Sequence, residues 1–441
     1  PSAQFYLYIL ELRNYMKKTI LIILFNLFYA NVNNYYTKID SLIKLKEYDT
    51  ANDIFLKAID DYDASSKLFF IGAKLFIKLD DLDEANKYFI KAIELDKKNE
   101  NYRLEQQKLE NLKNKLTNSR KTFDLGNYDE AILEHEVILN EYPENAIVFY
   151  SIGRIYKVTK NYDLAILNYK NAIKHNPFED KYFKAIKSVA QEMASNGDLD
   201  YRRQEFDSAI NYYLKAIEYM PDYTTAIFKL ARTYYKIKDF DKTKYYLEQN
   251  LSIDPNQEQS EKMLGDIYKR GGNYIDAELH YKKAININNN YSRAFYSLGT
   301  MFLAQEKYDE AREYLNRAIS TNPEYDKAYG ALGKVEQELK NYELSISNYQ
   351  NAIAINKKLY DIYYRLSNVY NITKKYNEAR LAAKNCLNIK RNYAPAYFEL
   401  GVAEKALGNK VAAKDAFEKA KKNKDWRKSA QFEIDMLNKG L

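Results

Sequence analysis

The sequence predicts an all-α protein built as an array of similar helical hairpins, each stacked on the next. Three observations carry that expectation. Small and aromatic residues recur at a spacing of 34 along most of the chain. Only 13 Gly and 7 Pro interrupt 441 residues, 44 of which are Tyr, and the abundant Ala, Leu, Lys and Glu favour helix over strand. Within each unit the apolar residues fall at helical spacing, as Ala311, Leu315 and Ala318 do in Lys307–Pro323. A lone helix burying such small residues is unstable in water, so neighbouring units must cover it.

Composition narrows the function classes. Aromatics reach 15% and charged residues 29%, enough apolar surface for a packed core. The 68 basic residues are nearly balanced by 61 acidic ones, for a net charge of +7, which argues against a dedicated nucleic-acid binder. With Cys386 the single cysteine, an intrachain disulfide is excluded.

Taken in chain order, the first element is an N-terminal extension, residues 1–30. Met16 is read as the start, followed by KKTILIILFNLFYA, two lysines and a short apolar run ending at Ala30. This is the pattern of a secretory signal and is too short to span a bilayer by itself. Phe28 fits poorly at the third position before the cut. The alternative is a buried first helix.

Repeats then fill residues 32–65 and 66–99, 112–145 and 146–179, and seven consecutive blocks over 190–427. Their first small column reads Ala51, Ala85, Ala131, Ala165, Ala209, Thr243, Ala277, Ala311, Ser345, Ala379 and Ala413, and a second small column follows seven positions later. Three positions before the first column stand Tyr48, Leu82, Tyr128, Tyr162, Phe206, Phe240, Tyr274, Tyr308, Tyr342, Tyr376 and Lys410, where an aromatic wedges the turn. Gly153, Gly197, Gly265, Gly299, Gly333 and Gly401 share the column twelve before it, and Pro143, Pro177, Pro221, Pro255 and Pro323 the column twelve after it. Small side chains let helices approach closely, and proline ends the second helix. Asp49, Asp83, Asp129, Asp163, Asp207, Asp241, Asp309 and Asn377 are expected to cap that helix. Each unit is therefore a helix–turn–helix hairpin packed on the next.

Two inserts break the period. Residues 100–111 are read as a helical insert and 180–189 as a second one, each lengthening the following first helix by about three turns; SNGDLDYRR, after the second, could instead loop out. Tyr102, Leu109, Leu116 and Phe123, with Leu112 between them, form a stripe expected to pack on the preceding repeat; the alternative is a coiled-coil-like edge offered to a partner. Residues 428–441 are read as a polar-faced capping helix.

This column pattern resembles the tetratricopeptide repeat (TPR), about eleven copies over residues 32–427. Thr243, Asn250, Ser345 and Lys410 depart from the family's choices. The resemblance implies a right-handed superhelical solenoid whose first helices line a concave groove, with contacts at the second, fifth, ninth and twelfth positions of each repeat. Carried onto this sequence, those positions give a candidate partner-binding groove of Lys74, Arg120, Arg154, Tyr150, Arg232, Tyr235, Tyr296, Lys334, Tyr364 and Asn368. Arginine forks beside tyrosine faces suit an acidic or aromatic-containing protein or peptide segment. The carboxylate clamp of the family's chaperone receptors is not matched: Lys262 is followed by Asp266, and Asn368 is preceded by Tyr364.

No catalytic or ligand constellation occurs. His135, His175 and His280 lie whole repeats apart, His135 at a packing position, and Cys386 occupies a small column. No CxxC, HExxH, phosphate loop or nucleophile elbow is present, so no cofactor, metal or enzymatic activity is expected. The lysine-rich Lys419–Lys428 is read as a solvated array end. The resulting expectation is a non-catalytic scaffold exported to a bacterial periplasm or envelope. Its bacterial source rests on the signal pattern and the Lys, Asn, Ile and Tyr bias. The alternative is a cytoplasmic or membrane-tethered assembly factor or enzyme-regulating subunit, held to the membrane by residues 16–30 if they remain uncleaved.

Overall fold

The computed structural model describes residues 32–61 and 65–439; the signal-like residues 16–30 lie outside them. Among the described residues there are 23 helices and no strand. The chain divides into two units, Pro1–Thr233 and Tyr234–Leu441, with the division inside helix Thr224–Lys236.

In the first unit the hairpins pair Val32–Lys44 with Tyr48–Asp61, Ser66–Lys78 with Leu82–Leu95, Glu100–Asp124 with Tyr128–Glu141, Ala146–Val158 with Tyr162–His175, and Asp180–Arg203 with Phe206–Tyr219. Both inserts are helical. Glu100–Asp124 is one helix of 25 residues and Asp180–Arg203 one of 24. SNGDLDYRR forms the last turns of the latter rather than a loop, because Val189, Met193, Gly197 and Asp200 keep one face buried. Of the stripe on the longer helix, Tyr102, Leu109 and Leu112 are buried, and the Tyr102 ring stacks 4.5 Å from Phe70.

In the second unit Phe240–Ile253 leads into four complete hairpins starting at Glu258, Ser292, Asp326 and Tyr360, then Ala394–Ala406 with Lys410–Lys421. Helix Arg427–Asn438 follows, burying Ala430 and Ile434; its other face is mostly polar but exposes Phe432.

The small columns are the centre of the packing: Ala51, Ala85, Ala131, Ala165, Ala209, Ala277 and Ala311 are fully buried, as is Cys386. Burial pushes the Cys386 thiol up to about 12, so it is an unreactive packing residue. A further column, four residues after the first alanine, holds the large buried rings Phe89, Tyr169, Tyr213, Tyr281, Tyr349 and Phe417. Glycine faces most of these rings: a Cβ on Gly153 would stand 2.6 Å from the Tyr169 ring, inside any van der Waals contact. In one hairpin Ser119 and His135 replace this glycine–tyrosine pair. His135 Nδ1 lies 2.5 Å from Ser119 Oγ and 2.6 Å from the Ala131 carbonyl oxygen, so the histidine is buried and satisfied. Burial holds its pKa below the ordinary range.

Capping differs from expectation. Each second helix begins at the aromatic column, which places Asp83, Asp163 and Asp309 in its first turn and not at its cap. The cap lies two residues earlier: the Glu84 amide donates to Asp81 Oδ1 at 2.9 Å, and the Lys242 amide to Asp239 Oδ1 at 3.1 Å. Lys307, at the equivalent position, makes no side-chain cap bond. First-turn carboxylates still favour the helix through its dipole.

One residue before each cap, every hairpin turn carries a residue at positive φ. These are Gly126, Gly272 and Gly408, and eight non-glycines including Lys46, Asp80, Lys160, Lys238, Lys340 and Lys374. The αL conformation ends the first helix and reverses the chain.

Candidate protein-binding surface

In the first unit three of the groove candidates share one cleft. First helices Glu100–Asp124, Ala146–Val158 and Asp180–Arg203 present Arg120, Tyr150, Arg154 and Lys181 to it, and Asp80 and Phe123 complete its wall. Its volume is about 340 Å³, room for one or two side chains. Arg154 lies over the Phe123 ring at 5.5 Å, and Tyr150 is 5.2 Å from the Tyr182 ring. Arg120 is 3.9 Å from Asp124 with both side chains mostly exposed, a pairing worth no more than about 1 kcal/mol. Both guanidinium groups therefore keep donors available for a carboxylate.

Asp80 enters this cleft from a turn roughly a hundred residues earlier in the chain. Its carboxylate accepts hydrogen bonds from Tyr182 Oη and, at 2.9 Å, from Asn176 Nδ2, while Lys181 Nζ stands 3.9 Å away. Burial raises its pKa, and Tyr182, Asn176 and Lys181 offset part of that rise. The same carboxylate borders a second cavity of about 380 Å³ lined by Lys78, Lys108, Leu112, Tyr142 and His175.

The other two candidates of this unit lie outside the cleft lining. Lys74 stands 4.8 Å over Phe70. Arg232 stands 4.6 Å over Tyr201, and its Nε is buried without a hydrogen-bond partner among the described residues. Asp198, at the same column position one repeat earlier, is occupied internally by Tyr213 Oη at 2.8 Å and Lys229 Nζ at 2.6 Å.

In the second unit the candidates are partly spent on internal contacts. Tyr235 packs edge-on to Phe240 at 5.7 Å, and Tyr296 lies 5.1 Å from Tyr325; burial raises the pKa of both tyrosines. Tyr364 meets Tyr393 edge-on at 5.7 Å, and Lys390 covers Tyr393 and Tyr360 at 4.8 and 4.2 Å. Lys334 is half-buried on helix Asp326–Glu338. Asn368 uses both ends of its amide: Oδ1 accepts from Gln337 Nε2 and Nδ2 donates to Glu399 Oε1, each at 2.9 Å. Asp266 accepts from Lys262 Nζ at 2.6 Å and Tyr281 Oη at 2.8 Å, so the departure from the clamp pattern is an internal pair.

Sequence reasoning missed Asp80 and Lys181. Asp80 sits at a turn position where other hairpins mostly carry lysine or glycine, and Lys181 lies in the second insert. Among the described residues no group of His, Cys, Asp and Glu could hold a metal ion, and no helix is long and apolar enough to cross a membrane.

Family models match along the chain. "Tetratricopeptide repeat" matches residues 68–99, 263–291 and 394–424, and a further model of that description matches 225–256. "TPR repeat" matches 197–238, and "Tetratricopeptide repeat protein 21 C-terminal ARM domain" matches 287–407. No curated protein matches. Among solved structures the chain is similar to the Cut9–Hcn1 hetero-tetramer of the APC/C, at 13% identity and TM-score 0.43, covering 90% of this chain and 95% of that one. It is similar to pilF of Pseudomonas aeruginosa at 17% identity and TM-score 0.44, covering 49% and 97%. MamA is similar at 25% identity and TM-score 0.35, covering 37% and 96%.

Proposed function

We propose that this chain, which is a tetratricopeptide-repeat protein, is a non-catalytic scaffold that binds an acidic segment of a partner protein through the first helices of its repeats. The observation that carries the reading is the convergence of Arg120, Arg154 and Lys181 on one cleft beside the Tyr150 and Phe123 rings. Guanidinium forks recognise carboxylates bidentately, and the aromatic faces supply apolar contact without excluding water from the charges. The glycine and alanine columns serve stacking, which leaves recognition to exposed side chains on the first helices. Export to a bacterial envelope is part of the proposal, supported by the basic and apolar run at residues 17–30.

Site-specific photo-crosslinking in native cells tests the surface. A photoreactive amino acid in place of Tyr150 is expected to capture a partner, whereas one in place of Leu133, exposed on a second helix, is not. Capture from Leu133 alone places recognition on the second helices and contradicts the proposal.

A further inference from the structure

Stacked repeats ordinarily touch only their sequence neighbours, but the first unit contains a contact that skips two hairpins. Lys46 Nζ donates to the Lys174 carbonyl oxygen at 3.1 Å. Tyr48 packs edge-on against Phe178 at 5.9 Å. Asp80, with its side chain 5% exposed, takes the bonds from Asn176 and Tyr182 described above. All three contacts join the turns of the first two hairpins to the end of the fourth hairpin, the segment after it and the start of the fifth. Asp80 is their polar centre, and the cleft beginning at its carboxylate contains Arg120 and Arg154.

The chemistry at this centre is unusual for its position. Equivalent turn residues are lysine in five hairpins, glycine in three, Gln204 in one and the exposed Glu306 in one; Asp80 is the acid whose side chain is buried. Taking a carboxylate out of water is costly unless strong donors replace the water. Two neutral donors and an ammonium at 3.9 Å do so incompletely. A contact balanced in this way can be exchanged for another carboxylate offered to Lys181.

We propose that Asp80 is the keystone of an intramolecular clasp that occupies the edge of the basic cleft and is released when an acidic segment of a partner binds there. The clasp itself is independent of the proposed scaffold function; its release by an acidic segment rests on that reading.

The test measures a distance in the full chain. Spin labels are placed at Asp53 and Asn211, both exposed, in a Cys386→Ala background that keeps the column small. Asp80→Gly removes the carboxylate without backbone strain, since Gly126, Gly272 and Gly408 already occupy equivalent turns at positive φ. The parent should give one narrow distance distribution, Asp80→Gly a broader and longer one, and Asp80→Asn, which keeps a hydrogen-bonding side chain, a distribution close to the parent. Tyr182→Phe should broaden it partially and serves if Asp80→Gly loses helical content by circular dichroism. An Asp80→Gly distribution superimposable on the parent overturns the clasp.

Labelled octaglutamate is the probe for release. It should bind Asp80→Gly about three to ten times more tightly than the parent, on the scale of removing one competing charge near the surface, and should broaden the parent distribution when bound. Binding with no change in the parent distribution overturns release. Absence of binding to every variant overturns release and counts against the basic-cleft reading, while the clasp still stands or falls on the Asp80→Gly distances.

Discussion

Single residues set how closely two helices of a hairpin approach. Gly153 has no Cβ because the Tyr169 ring occupies its place at 2.6 Å. Gly153→Ala should therefore destabilise by about 1–3 kcal/mol through overpacking, read as a lowered midpoint in chemical denaturation. The Ser119–His135 pair replaces that arrangement with a polar one, and the exchange is testable as a unit. His135→Tyr alone sets a phenol against Ser119, whereas the double change Ser119→Gly, His135→Tyr recreates the glycine–tyrosine pair. The two substitutions should couple favourably by about 1–3 kcal/mol in a double-mutant cycle. His135 also predicts a pH effect with a definite sign. Its pKa is depressed by burial, so the stabilisation is present above the ordinary histidine pKa of about 6.5. It is lost as pH falls through the lower folded value, because the unfolded chain takes up the proton first. The double variant should lose that acid sensitivity between about pH 7 and 5.

At the scale of elements, the lengthened helix Glu100–Asp124 is held by its buried stripe and not by exposed charges. Leu109, 2% exposed, joins a core with Tyr102 and Phe89. Leu109→Ala should cost about 2–5 kcal/mol, more than any change at the weakly held Arg120–Asp124 pair. In the second unit, helices Asp326–Glu338, Tyr360–Ile372 and Ala394–Ala406 are tied by a polar ladder from Gln337 to Asn368 to Glu399, with Asn371 Nδ2 donating to Glu399 Oε2 at 2.8 Å. Among the described residues Glu399 makes no ion pair, and burial raises its pKa. For a carboxylate raised in the folded state, stability is fully present below the ordinary carboxylate pKa and declines as pH rises through the folded value. Glu399→Gln should flatten that decline, measured as unfolding free energy from about pH 4 to 8.

The elements also show how much was legible in the sequence. Alanine, glycine and proline columns recur at one period, so hairpin and turn positions follow from residues such as Ala311 and Gly153 alone. The ring column of Tyr169 and Tyr213 was hidden, because tyrosine is so abundant that one more occurrence carries no weight. The helix start was misjudged by two residues because Asp309 and its equivalents look like caps, yet the aromatic before them already opens the helix. The Asp80–Tyr182 bond was illegible for a different reason. Repeat periodicity specifies neighbouring hairpins, and nothing in it encodes a contact between residues 102 apart.

Across both units the small columns let hairpins approach while large rings such as Tyr169 and Tyr281 fill the space between them, and in the first unit Arg120 stays exposed on its first helix. Most surface pairs are exposed and contribute little individually, so binding at the basic cleft should weaken with ionic strength as screening shortens to below about 10 Å above 0.1 M salt. Export is tested at this scale too: a Met16-start fusion to a reporter active only in the periplasm should give signal, and a fusion retained in the cytoplasm contradicts it. The central claim is that an acidic partner segment docks on Arg120 and Arg154. Its most direct measurement is the affinity of the captured partner for an Arg120→Glu, Arg154→Glu double variant whose helical content by circular dichroism equals the parent's. A loss of about tenfold or more, as expected for removing two charge-assisted contacts, is the predicted result; unchanged affinity in the folded variant contradicts the account.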